Sequence, residues 1–275
     1  RNKVKNVIAF KKNVWYNSAD LEETILKTIH ILQVPVSITS YEEIIDIISK
    51  TIRNNKKFSV VSINLNKVIK ANESNEVMKI IKSFDCFIPD GISVVRTSKE
   101  INDRITGIDL FNRICDEHKK IGAKIFLYGA KQEIVETAKN NLIRKYNDIQ
   151  IVGIENGYNK DNNYLVNKIN QSGANIVFIA MGSPKQERWI YENKNKINAN
   201  IFMGVGGTFD IISGKLKRAP MWIQKLGIEW LYRTMKEPKR LKNVPLQIKY
   251  YLKLKKERRN IKWNQLIWKE KQLQY

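Results

Sequence analysis

Gly204-Val205-Gly206-Gly207, running into Thr208-Phe209-Asp210, crowds three glycines into four residues. Glycine lets a backbone pass close to a bound group and turn its N–H donors toward phosphate-like oxygens. Lys215, Lys217 and Arg218 come directly behind, followed by a tryptophan-rich stretch that carries Arg233. The pattern reads as a loop for an anionic ligand joined to a basic arm. A tight turn followed by a solvated charged helix fits the same spacing. Other groups with chemical potential are Ser62-Ile63-Asn64, Pro89-Asp90-Gly91, Gly129-Ala130 and the run Met181-Gly182-Ser183-Pro184-Lys185-Gln186-Glu187-Arg188-Trp189. Each also has a plain structural use. Asn64 suits a helix N-cap, Asp90 between Pro and Gly suits a turn, Pro184 suits the start of a helix, and Arg104 suits a surface.

Several chemistries are missing. No two aspartates stand two apart, and no phosphate loop of the Gly-x-x-x-x-Gly-Lys-Ser/Thr type occurs. The glycine turn at 204–207 breaks the dinucleotide fingerprint at its third glycine. His30 and His118 are too few and too isolated for a histidine metal site or a Ser/His/Asp triad, and Cys86 and Cys115 read as reduced core thiols. An enzyme handling a diphosphate with these residues needs Arg and Lys in place of Mg²⁺.

The elements that must position these groups can be read from the apolar pattern. Short Val-, Ile- and Phe-rich runs predict strands over Val34–Ser37, Phe58–Ile63, Cys86–Ile88, Lys124–Tyr128, Ile149–Gly153, Asn175–Ala180 and Asn200–Met203. Three- and four-residue apolar spacing predicts helices over Tyr41–Thr51, Ile108–Lys119, Glu133–Tyr146, Tyr164–Gln171 and Lys185–Asn195, with a short one over Leu21–Ile29. That alternation predicts an α/β fold, a mostly parallel Rossmann-like sheet with helices on both faces. Ligands bind such sheets beyond the carboxyl ends of the strands, and every group above comes after a predicted strand. The domain expectation is an N-terminal extension at 1–30, a core at 31–220 and a basic, Trp-containing helical appendage at 221–275.

A chain of 275 residues with 43% hydrophobic content can bury a sizeable core. Its net charge of +22 is uneven: the last 61 residues hold 18 of the 49 Lys and Arg but only 4 of the 27 Asp and Glu. One-signed charge of that density points to a polyanion: nucleic acid, acidic lipid or a diphosphate. A basic helix with aromatic residues has the composition of a segment lying at a membrane surface. No run approaches the length of a spanning helix, and the first ten residues lack the apolar length of a secretory signal. The expected place is therefore the cytoplasmic side, peripheral on the inner face of the membrane. A nucleic-acid-binding protein also explains the charge, but no recognised reading motif accompanies it, so nucleic acid is not the expected partner. A nicotinamide-dependent dehydrogenase would share the sheet but lacks the fingerprint.

Pro89-Asp-Gly, Asp103-Arg-Ile-Thr-Gly-Ile-Asp-Leu110, Gly182-x-Pro-Lys-Gln-Glu187, the glycine turn through Asp210, Lys217-Arg-Ala-Pro220 and Glu229-Trp-Leu-Tyr-Arg233 together resemble the WecG/TagA/CpsF glycosyltransferases, in order from about Ile31 to Arg240. The resemblance implies an inverting, metal-independent transferase of bacterial surface polysaccharides, without cofactors. It implies a UDP-sugar donor, UDP-N-acetylmannosamine foremost, with glucose or N-acetylmannosamine uronic acid as alternatives. It also implies a polyprenyl-diphosphate-linked acceptor such as undecaprenyl-diphosphate-GlcNAc, in teichoic acid or capsule synthesis, and leaves an oligomer open. By the same resemblance Asp90 is the general base, Ser62 and Asn64 stand for a Thr-x-Asn motif, and Arg104 and Gln186 sit near the donor. Asp210 falls at the uracil, and Arg233 and Arg240 complete the diphosphate site. A third basic position of the family falls on Asn243, a departure. Gly129, Gly182, Lys185, Gly206, Gly207 and Phe209 complete the expected substrate-binding set.

Overall fold

The computed structural model describes residues 26–226, 229, 232, 241 and 244–256. Six strands form one all-parallel sheet: β3 (Phe58–Ile63), β4 (Cys86–Pro89), β5 (Lys124–Gly129), β6 (Gln150–Glu155), β7 (Ile176–Ala180) and β8 (Ile201–Gly204), in the order β4-β3-β8-β7-β5-β6. The central strands are apolar on both faces, as a sheet covered twice requires. Val60, Ile88, Ile125, Phe178 and Met203 point into one core with α1 (Tyr41–Arg53), α5 (Gly107–Asp116), α7 (Gln132–Lys145) and α10 (Thr208–Ile212). Val61, Ile63, Phe126, Val177 and Phe202 point into the other with α2 (Leu65–Glu73), α3 (Asn75–Lys82), α8 (Asn162–Ser172) and α9 (Lys185–Asn193). The short helices α4 (Ile92–Val95) and α6 (His118–Ile121) come after β4 and α5, and α11 (Met221–Leu226) starts the appendage.

The fold class and all the expected strands are therefore present, with three differences. First, Val34–Ser37 (β2) is not in the large sheet. It pairs antiparallel with β1 (Thr28–Ile31), and Ser37 Oγ accepts a hydrogen bond from Phe87 N–H on the edge strand β4. The turn between β1 and β2 holds Leu32 and Gln33 at φ of 47° and 67°. Such turns are normally announced by Asn or Gly, so nothing in the sequence marked the hairpin. Second, the helix expected over Leu21–Ile29 gives way to β1 at Thr28 and Ile29, because those residues pair with Ser37 and Val36; residues 21–25 lie outside the described residues. The boundary drawn at 30/31 thus falls inside a strand. Third, α2 and α3 fill the connection between β3 and β4, where the spacing suggested no pair of helices. The apolar stripe of α2 is interrupted by Lys67, which is nevertheless buried.

The described part of the appendage folds back on the core. In the helical stretch 244–256, Tyr250 and Leu254 are buried with Val68 and Ile69 of α2, and Gln247 Nε2 donates to Asn66 Oδ1. Its other side, with Ile248, Tyr251 and Leu252, is exposed, as are Met221 and Trp222 on α11. Among the described residues no helix is long and apolar enough to cross a membrane.

Candidate active site

Parallel strands end on one edge, so the exits of β4, β3, β8, β7 and β5 are neighbours. Asp90 leaves β4 and the glycine turn leaves β8, with β3 between them. At the usual strand spacing their separation across the sheet is about 10 Å. Asp90 N–H donates to Ile63 O at 3.0 Å, and a Cβ on Gly91 would meet Asn64 Cα at 3.0 Å, so the loops after β3 and β4 touch. Asn64 serves as the α2 cap, its Oδ1 accepting from Lys67 N–H at 3.1 Å. Ser62 is buried, with its hydroxyl 3.2 Å from Lys67 Nζ.

Arg104 hydrogen-bonds protein groups through all three of its guanidinium nitrogens. Its Nε donates to the Asp90 carbonyl at 2.6 Å, Nη1 to the Gln224 carbonyl at 3.2 Å and Nη2 to Glu229 Oε2 at 2.5 Å, while Nη2 stands 4.0 Å from Asp90 Oδ1. One guanidinium thus straps the Pro-Asp-Gly turn to the start of the appendage. Five residues on, Asp109 makes a second strap. Arg218 donates to both its oxygens at 2.6 and 2.8 Å, and Thr106 Oγ1 donates to it at 2.6 Å. Arg218, expected in a basic arm facing an anion, is therefore committed to a carboxylate, while Lys215 and Lys217 remain exposed. Tyr41 joins the two straps: its hydroxyl accepts from Thr106 N–H at 3.1 Å and donates to the Arg104 carbonyl at 3.4 Å.

The β7 and β8 exits are joined from beneath. Gln186 is 2% exposed; its Oε1 accepts from Gly206 N–H at 3.0 Å and its Nε2 donates to Glu187 Oε1 at 2.9 Å. The same Glu187 oxygen is 3.0 Å from Lys67 Nζ, both side chains being buried. Gly206 N–H is thus used internally instead of facing a phosphate. Gly204 gives the Gln186 amide its space: a Cβ there would lie 2.5 Å from Gln186 Nε2 and would have to displace it. Gly129 has no room either: a Cβ would meet Ala180 O at 2.4 Å, so close strand packing accounts for this glycine. Burial pushes the Glu187 carboxyl up, but the Lys67 charge and hydrogen bond, helped by Gln186 and Ser183, outweigh it and hold the group below its usual range. Ser183 does not reach Oε2 with hydrogen-bond geometry, so that oxygen has no partner among the described residues.

Of the other expected residues, Gly182, Gly207, Lys185 and Asp210 lie at the strand exits with solvent access, whereas Phe209 is fully buried against Phe111 and belongs to the core. Arg233, Arg240 and Asn243 lie outside the described residues. Glu229, Asp109, Glu187 and Lys67 are outside the site expected from the sequence. The first three stand inside recognisable motifs, whereas Lys67 carries no motif signal at all. Among the described residues no three His, Cys, Asp or Glu side chains gather closely enough to hold a metal ion. A cavity of about 260 Å³ lies between α5, α7 and α10, lined by Asn112, Asn141, Lys145 and Arg218 among others.

Burial raises the Asp109 carboxyl, but hydrogen bonds from Arg218 and Thr106, with the Arg218 and Arg104 charges, outweigh burial and leave it below its usual range. Stability from this strap is therefore fully present above the unfolded carboxyl pKa of about 3.9 and is lost as pH falls through the lower folded value. Thermal unfolding of wild type and Asp109→Asn checks this. The gap in Tm should be constant near neutrality and narrow as pH falls below the unfolded value of about 3.9; no gap at neutral pH contradicts the strap.

A match to the model of the glycosyl transferase WecG/TagA/CpsF family spans residues 29–262. A Bacillus subtilis (strain 168) protein named N-acetylglucosaminyldiphosphoundecaprenol N-acetyl-beta-D-mannosaminyltransferase is 32% identical over 241 residues, which cover 86% of this chain and 93% of its own length. The matched span takes in the sheet, both straps and the Lys67–Glu187 network: the chain belongs to the WecG/TagA/CpsF family of glycosyl transferases.

Proposed function

We propose that the chain transfers N-acetylmannosamine from a UDP-linked donor to a polyprenyl-diphosphate-linked N-acetylglucosamine, with inversion and without a metal, in teichoic acid-type cell-wall synthesis. The relative's name supports the sugar and the acceptor. The observation that carries the mechanism is the placement of Asp90 on the same sheet edge as the glycine turn and the β7 exit. A donor diphosphate laid over the exits of β8 and β7, beside Gly207 and Lys185, puts its sugar toward Asp90. The carboxylate then takes the proton of the acceptor hydroxyl as that oxygen attacks the anomeric carbon and UDP departs from the opposite face. Charge growing on the leaving diphosphate is met by Arg233 and Arg240, charge-assisted donors that work as bidentate clamps on phosphate. Arg104 keeps the Asp90 turn and the appendage together while this happens.

The appendage supplies the membrane contact. The exposed Met221, Trp222, Ile248, Tyr251 and Leu252 share this region with exposed Lys249, Lys253, Lys255 and Lys256, an apolar and cationic mixture suited to the anionic inner face of a bacterial membrane.

Asp90→Asn should fold normally and lose about 10²–10⁴-fold in turnover, the usual worth of a positioned base, and EDTA should leave wild-type turnover intact. Turnover within a few-fold of wild type in the variant removes Asp90 as base, and a strict Mg²⁺ requirement removes the arginine clamp. In vesicle flotation, changing the four lysines at 249, 253, 255 and 256 to Gln should weaken binding to anionic vesicles by about 100-fold or more, since each contributes about 1 kcal/mol near such a surface. Undiminished flotation contradicts docking through this helix.

A further inference from the structure

The buried Lys67–Glu187 pair has no place in the mechanism above, yet it lies directly beneath the strand exits. Lys67, on the first turn of α2, is 4% exposed, and Glu187, on the first turn of α9, is 3% exposed. Through them one chain of hydrogen bonds crosses three exits: Ser62 Oγ at the end of β3, Lys67 Nζ, Glu187 Oε1, the Gln186 amide, and finally Gly206 N–H beyond β8. Lys70, one turn further along α2, reaches the same loop by donating to the Ser183 carbonyl at 2.6 Å.

Holding α2 against α9 does not require charge. Apolar side chains of similar volume usually stabilise such a contact as well or better, and this pair also leaves Glu187 Oε2 without a partner among the described residues. What the charge does supply is direction. An ionised carboxylate only accepts hydrogen bonds, so Gln186 must turn its NH₂ toward Glu187 and its carbonyl toward Gly206. The opposite orientation sets carbonyl against carboxylate and amide N–H against amide N–H. Gly206 sits at φ 56°, a left-handed conformation, and its N–H is drawn inward by that carbonyl. Gly207, the next residue, is left exposed at the edge.

We propose that Lys67 and Glu187 are positioning residues. Lys67 keeps Glu187 ionised, Glu187 fixes the Gln186 amide, and Gln186 holds the glycine turn in the shape that receives the donor's diphosphate. Neither charged residue touches the substrate. The ligand assignment rests on the glycosyl-donor function proposed above; the control over the turn does not.

The decisive variant is Lys67→Met combined with Glu187→Gln, in the full chain, because it removes both charges at nearly constant volume. An amide at 187 pairs with either end of Gln186, which leaves only the Gly206 N–H to set its orientation. Lys67→Met alone leaves a buried carboxylate without its counter-charge and should lower Tm; the double variant should recover a Tm close to wild type. Three readouts are then taken from that stability-matched protein. Hydrogen exchange at the Gly206 amide, resolved by NMR, should be about tenfold faster or more than in wild type. The dissociation constant of UDP and the donor KM should rise together by about tenfold, with kcat changed by less than about threefold. Unchanged exchange at Gly206 overturns the proposal whatever the ligand. Faster exchange with unchanged UDP binding overturns the link between the turn and the diphosphate. A wild-type protein that does not bind UDP refutes the proposed donor instead, and the exchange rates still decide whether the pair positions the turn.

Discussion

Parallel pairing is the constraint on which the rest of this molecule depends. Six strands that run the same way must all discharge their loops on one edge, and a loop at that edge cannot bury its own backbone. Each exit is therefore tied to a neighbour. Asp90 N–H bonds the end of β3, Val205 N–H bonds Ile179 O of β7, Ala130 N–H bonds Ala180 O, and Gly206 N–H bonds Gln186. The crevice that results is a by-product of the sheet before it is a site, and the chemistry depends on which side chains stand at the exits.

Two ion pairs tie this edge to the segment leading into and opening the C-terminal appendage, beside the apolar contact of Tyr250 and Leu254 with α2. Arg104–Glu229 and Asp109–Arg218 both join the short segment before and into α5 to residues over 100 positions later. The first of these also grips the carbonyl of Asp90. The proposed base and the appendage therefore cannot move independently of Arg104. That geometry explains why the Asp103–Leu110, Lys217–Pro220 and Glu229–Arg233 motifs occur in one chain: they are the two halves of one clasp. It also gives the arginine a structural part beside the donor contact implied by family resemblance.

Much of the fold was readable from apolar periodicity, because a strand buried on both faces and a helix buried on one leave different spacings. The strands failed to speak only where a turn used Leu32 and Gln33 instead of Asn or Gly, and α2 was hidden because a lysine occupies a buried position. The site divides along the same line. Residues at the strand exits, Asp90, Gly182, Gly207 and Asp210, could be found by looking just beyond the end of each apolar run. Partners could not. Nothing in one sequence says that Arg104 meets Glu229, that Arg218 meets Asp109, or that Lys67 turns inward to meet Glu187, since these contacts exist only after the sheet order is set. Two glycines changed meaning for that reason: Gly204 and Gly129 are small because Gln186 and the Ala180 backbone stand against them. Phe209, read as part of a binding motif, is a core residue of the same turn.

If the shared carboxyl edge receives the nucleotide diphosphate, with Asp90 on the sugar side, a crystal structure of the full chain with UDP tests it most directly. The diphosphate is predicted over the exits of β7 and β8, against Gly207 and Lys185, with its terminal phosphate turned toward Asp90. A nucleotide seated away from that edge contradicts it.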